Sequence, residues 1–162
     1  MKTIDTLWLK DSGELRRAET DEVLAAARGI LRRRVRRGTP LTSPALTQSY
    51  LVQRFGQTEH EVFALLLLDA RHRLIDCLEL FRGTIDGASV HPREVVKEAL
   101  RHNAAACLLA HNHPSGIAEP SQADELITRR LREALALVDI RVIDHIIVAG
   151  GDAISFAERG LL

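Results

Sequence analysis

Two periodicities alternate along the chain, and the switches between them mark most of the elements. Val23, Leu24, Ala27, Ile30, Leu31 and Val35 recur at helical spacing behind a first turn carrying Asp21 and Glu22. Thr20 is therefore read as the cap of a helix that Gly38 and Pro40 stop. Ser43-Pro44 opens a second helix, striped by Leu46, Tyr50, Leu51 and Phe55 and stopped by Gly56. The apolar run Val62–Leu68 predicts a buried strand, Asp69–His72 a turn, and Leu74–Phe81 the hairpin partner. Pro92–Asn103 predicts a helix entered through proline, Ala104–Ala110 a second buried strand, Ser121–Leu137 a helix and Val142–Val148 a strand. Gly150-Gly151 turns the chain into a last short strand at Ala153–Phe156. This order implies an α+β fold, a mixed β-sheet flanked by helices, with an N-terminal helical extension over 1–40 and a main domain over 41–162.

Composition narrows the class. With 46% hydrophobic and 27% charged residues among 162, the chain has the material for one domain and is not of a disordered or collagen-like type. Its longest apolar runs, Val62–Leu68 and Ala104–Ala110, are far short of the roughly 20 residues that span a bilayer. The N-terminus lacks the apolar core of a secretory signal. Cys77 and Cys107 are too few for a disulfide framework. The expectation is a cytoplasmic protein with no membrane segment. The zero net charge conceals an asymmetry: residues 1–40 hold 10 Lys or Arg against 6 Asp or Glu, and residues 41–162 hold 12 against 16. Arg32, Arg33, Arg34, Arg36 and Arg37 crowd one short stretch. They can neutralise nucleic-acid phosphates, or simply complement the dipole at the end of a helix.

The stretch His111-Asn112-His113-Pro114 through Ser121-Gln122-Ala123-Asp124 directly follows a predicted strand. Side chains two apart in extended chain share a side, so both imidazoles can reach one ion. The intervening loop is rich in Pro and Gly and can return the first turn of the next helix, with Asp124, to the strand end. Two imidazoles and a carboxylate leave a fourth tetrahedral position for water, which distinguishes catalytic from structural zinc. Taken separately, His-x-His is a common polar pair at a loop and Ser121-x-x-Asp124 a capping box. Together, in a strand–loop–helix context, they point to a metal. A His-Glu-x-x-His zinc helix is excluded at His60-Glu61 because Ala64 stands where the second His belongs, and a deaminase site is excluded because no Cys-x-x-Cys is present.

His111-x-His113-Pro114 with Ser121-x-x-Asp124 resembles the JAMM signature of the JAB/MPN metal-dependent isopeptidases. His91-Pro92-Arg93-Glu94-Val95-Val96, His111 to Gly116, Asp144-His145-Ile146-Ile147-Val148 and Ser155-Phe156-Ala157-Glu158 resemble the RadC branch of that superfamily. The resemblance covers residues 41–162. It implies the cytidine-deaminase-like JAB/MPN architecture, a Zn2+ ion on His111, His113 and Asp124, and an upstream glutamate, for which Glu61 matches and Glu59 is the fallback. Full-length members of the branch carry a helix-hairpin-helix module for which the first 40 residues are too few, so this chain resembles the short, stand-alone members.

A carboxylate beside a zinc-bound water can take its proton and pass it to the leaving amine, the role given to Glu61. Ser121 matches the family serine that donates to the oxyanion, a role with which helix capping competes. Asn112, Pro114, Ser115 and Gly116 are read as shaping the loop. His91, His102 and His145 are read as structural, or as satisfied polar groups. Asp144 and Asp86 are candidates to orient a ligating imidazole. The leading reading is a zinc metallopeptidase or hydrolase acting on an unknown protein or peptide substrate. The alternative is a DNA-associated accessory protein that uses the arginine cluster and a mainly structural metal. A catalytically silent scaffold of the MPN type is disfavoured, because such proteins lose ligands that are present here.

Overall fold

The computed structural model of the protein describes residues 7–11, 14–34, 37–41, 43–83 and 90–162. Contacts divide the chain into two compact units, residues 1–34 and 35–162. In the first, β1 (Trp8–Asp11) and β2 (Glu14–Arg17) pair antiparallel, and α1 (Thr20–Arg34) follows. Arg16 forks onto Glu22 with bonds of 2.8 and 2.5 Å, which holds the Glu22 carboxyl down at about 2. The hydrophobic pattern did not predict this hairpin, since an alternating pattern requires a buried face. Here Trp8 and Leu15 are 63% and 69% exposed. Arg32, Arg33 and Arg34 occupy the last turn of α1, Arg37 is exposed beyond it, and Val35 and Arg36 lie outside the described residues.

The second unit is a mixed sheet between helices. Ser43 caps α2 (Pro44–Phe55) by accepting the Leu46 N–H. β3 (Val62–Leu68), β4 (Leu74–Arg82), β5 (Ala106–Asn112), β6 (Arg141–Ala149) and β7 (Asp152–Ser155) line up in the order β4-β3-β5-β6-β7. All neighbours are antiparallel except β5 and β6. On one face α2 packs Leu51 and Phe55 against the sheet residues Leu66, Leu68 and Val148. On the other, α3 (Pro92–Arg101) and α4 (Gln122–Ala136) pack Val95, Ala99, Leu131 and Leu135 against Leu65, Leu67 and Leu109. Both parities of β3 and β5 are therefore buried, which accounts for their unbroken apolar runs. Among the described residues no helix is long and apolar enough to cross a membrane.

Two departures from the sequence pattern matter for the site. The α3 helix ends at Arg101 and not Asn103, because Asn103 takes a left-handed conformation with φ of 50°. β5 consequently starts at Ala106 and runs through Asn112, so that His111 and Asn112 are strand residues held by the ladder. In β6 an extra residue, Ile143, falls between the pairs Cys107–Val142 and Leu108–Asp144. This bulge reverses the parity of everything after it: His145 pairs with Leu109 and faces α4, where a regular ladder would have turned it to the α2 side.

The end of α2 meets the β6–β7 turn at Gly56. A Cβ there would run into the Gly150 carbonyl and lie 2.5 Å from the Val52 carbonyl, and neither backbone atom can move alone. Gly56→Ala is expected to destabilise the protein by about 1–3 kcal/mol, the usual range for overpacking. An unchanged urea midpoint would contradict the tightness of that approach.

Candidate metal centre

Strand alternation delivers His111 and His113 to the α4 side of the sheet. His113 lies just past the end of β5 but stays on the strand path by donating its N–H to the Val148 carbonyl (2.8 Å). The loop beyond turns at Gly116 (φ 78°). The chain then enters α4 through a reciprocal capping box, in which the Asp124 carboxylate accepts the Ser121 N–H at 2.7 Å and its hydroxyl at 2.6 Å, while the Asp124 N–H donates to Ser121 Oγ at 3.2 Å. The box aims Asp124 at the histidines. His111 Nε2 stands 2.9 Å from His113 Nε2 and 3.1 Å from Asp124 Oδ1, and His113 Nε2 stands 3.5 Å from Asp124 Oδ2. Among the described residues these three form the group able to hold a metal ion. With one ligand atom taken from each residue, the three lie within 4.8 Å of one another, near enough to be drawn onto a single ion.

The protons can be followed from the outer partners inwards. The Thr128 hydroxyl donates to the Asp124 backbone carbonyl, so its oxygen is left to accept from His145 Nδ1–H at 2.6 Å. His145 Nε2 is then bare and accepts His111 Nδ1–H at 2.8 Å, which leaves His111 Nε2 bare. His113 Nδ1–H donates to the Ile117 carbonyl at 2.8 Å, so its Nε2 is bare too. Two lone pairs and a carboxylate face one another with no proton of their own between them. Such a pocket requires a cation or a captured proton.

Ionisation agrees with this order. Burial, with the charged neighbourhood of His111 adding to it, holds the fully buried His145 well below the usual imidazole value. The Asp124 carboxylate pulls His113 upward against partial burial, with the Ile117 carbonyl and the Glu61 carboxylate adding to the pull. Burial pushes Asp124 up, but its bonds with His111, His113 and Ser121 outweigh this and keep it well below the carboxylate range. In metal-free protein two opposed slopes follow. Below about pH 6.5 the unfolded chain binds a proton that folded His145 refuses, so stability falls with pH. Above about pH 6.5 the proton that folded His113 retains is lost as pH rises through its elevated value, and stability falls again. The melting temperature is therefore expected to peak near that pH, and His145→Gln to remove the decline between about pH 6.5 and 5. A decline that persists in this variant would assign it to another group.

The remaining candidates fall in different places. Glu61 immediately precedes β3. The β3–β5 ladder ends at the pair Phe63–His111, two residues short of Glu61 and His113. Glu61 is half-buried, close enough to raise the His113 pKa, and outside the three-ligand group, while Glu59 is exposed. Ser121 acts on Asp124 in this arrangement, with its hydroxyl both donating and accepting there.

One orienting assignment needs correction. Asp144 accepts from the His145 and Ala157 N–H groups and the Ser155 hydroxyl and not from a ligating ring. Asp86, the other candidate, lies outside the described residues. The orienting group is His145, which sequence spacing marks only as a polar residue on a strand. Asn112 does not shape the loop. It turns to the opposite face from the two histidines and bonds the segment ahead of β3. His91 is exposed and stacks edge-on against Phe81, and His102 bonds the Glu98 carbonyl; neither joins the site.

A model of the RadC-like JAB domain matches residues 41–161, which hold the sheet and the His111, His113 and Asp124 group, so the domain is of the JAB class. The chain belongs to the RadC family. It is 69% identical over 128 residues to a UPF0758 protein of Nitrosococcus oceani, an alignment covering 79% of this chain and 57% of the relative. A UPF0758 protein of Marinobacter nauticus is 56% identical over 156 residues, or 96% of this chain and 70% of the relative. One from Aeromonas hydrophila is 55% identical over 150 residues, or 93% and 67%. The chain thus spans little more than half to about two thirds of the length of these relatives. At most 6 of its 162 residues fall outside the Marinobacter alignment, so at least 34 of the first 40 are shared with that relative as well.

Proposed function

We propose that the protein is a zinc-dependent hydrolase of amide bonds in proteins or peptides. The observation that carries this reading is the convergence of the His111 and His113 Nε2 atoms and a carboxylate at 2.9–3.5 Å, with the Nδ1 atoms of the two rings already committed to partners. Three N/O ligands without a fourth protein donor are the ligand set of hydrolytic zinc. Membership of a JAB-domain family supports the same reading. Zinc held there supplies a Lewis acid and an activated water.

The chain's own residues do the rest. Glu61, just ahead of β3, accepts the proton of the attacking water and returns it to the leaving amine. His111 and His113 stay in the tautomers their outer partners impose. Ser121 holds Asp124 in the resting arrangement. It donates to the substrate carbonyl oxygen, as charge builds there, by turning its hydroxyl away from Asp124.

The test is a profile of peptides from a proteome digest incubated with zinc-loaded protein, chelated protein and Glu61→Gln. New termini that form only with the loaded wild-type protein are expected. Their absence, or their persistence after chelation, would refute the reading.

A further inference from the structure

Glu61 lies one residue ahead of β3, where the ladder that fixes side-chain direction has ended. Asn112 replaces that ladder. Its side chain is 2% exposed and turns to the face opposite His111 and His113. Its Oδ1 accepts the Val62 N–H at 2.8 Å, and its Nδ2 donates to the His60 carbonyl at 3.0 Å and the Thr58 carbonyl at 3.3 Å. The His60 carbonyl belongs to the peptide unit before the Glu61 Cα, and the Val62 N–H to the unit after it. One carboxamide therefore grips both peptide planes that meet at Glu61, and from the β4 side Gly83 N–H closes on the Glu61 carbonyl at 2.8 Å. With both planes fixed, φ and ψ of Glu61 are fixed, and so is the direction of its Cα–Cβ bond.

We infer that Asn112 is a positioning residue that aims Glu61 at the metal ligands. Three successive residues at the end of β5 and just past it then do two jobs by parity alone: His111 and His113 hold the ion and Asn112 sets the base. The distance between ligands and base becomes a property of one strand, not of the 56–61 connection. Glutamine, one methylene longer, would displace the grip, and aspartate keeps an acceptor for Val62 but sets its oxygens against two carbonyls. The inference rests on Glu61 being the base, while the grip itself is independent of that role.

The experiment has a structural arm and a kinetic arm, run on Asn112→Ala and Asn112→Asp after circular dichroism shows both folded. In metal-free Asn112→Ala protein, amide exchange at Val62 is expected to rise about tenfold or more, the scale of one lost hydrogen bond, while Leu65 and Leu67 change little, and Asn112→Asp, which keeps the acceptor, is expected to leave Val62 closer to wild type. Zinc content per chain stays at the wild-type value. In zinc-loaded protein, kcat falls with KM unchanged, and adding Asn112→Ala to Glu61→Gln costs almost nothing further, since both act through the same carboxylate.

Unchanged Val62 exchange in Asn112→Ala would overturn the grip. Loss of zinc, or a kinetic loss that multiplies with that of Glu61→Gln, would overturn the positioning role. If no hydrolysis is found under any condition while Val62 exchange responds, the hydrolase reading and the positioning role built on it both fall. In that case the grip survives as a structural feature alone.

Discussion

Glu61→Gln is expected to keep its zinc and to lose turnover by a factor on the order of 10² or more, the usual worth of a general base. The amide preserves the shape and polarity of the side chain but cannot accept a proton. Its carboxylate adds to the upward pull on His113 without joining the three ligand atoms. Metal content by elemental analysis and turnover on a peptide from the digest are measured on the same preparation. Zinc lost with the substitution would make Glu61 a ligand. Unchanged turnover would move the base to Glu59 or remove it.

His145→Leu is expected to weaken zinc binding by about 10–100-fold, the effect of removing the partner that orients a metal-bound imidazole. Leucine leaves His111 Nδ1–H buried without an acceptor, so the ring gains by flipping its tautomer and spending the lone pair that faces the ion. The Thr128 hydroxyl loses its donor as well. His145→Gln is the rescue, since its carbonyl can accept from His111 and its amide can donate to Thr128. Competition against a zinc indicator gives both affinities. Equal losses in the two variants would show that the packing of the ring against Phe63 and Phe156 matters, and not its hydrogen bonds.

The parts of this architecture that the sequence made legible are those written as local periodicity or local chemistry. The runs of β3 and β5, the Ser43-Pro44 start of α2, the two-residue spacing of His111 and His113, and the Ser121–Asp124 box each involve residues close in the chain. What stayed hidden depends on partners distant in sequence. His145 meets His111 only because Ile143 bulges and inverts the parity of β6, and no spacing within Val142–Val148 signals an extra residue. Asn112 falls beyond the apolar run that ends at Ala110 and so carries the pattern of a loop residue; two residues more of strand send its side chain to the opposite face. In the β1–β2 hairpin, β2 and Trp8 are exposed, and without a buried partner for them no alternation marks these strands in the sequence.

The central claim is that His111, His113 and Asp124 make a cation site because their outer partners turn both Nε2 atoms toward the Asp124 carboxylate. Elemental analysis of wild-type and His113→Ala protein, each dialysed against zinc and then against buffer, tests it directly. The account predicts about one zinc per wild-type chain and essentially none in the variant, since two protein ligands rarely retain the ion. Undiminished zinc in a folded His113→Ala protein would contradict it.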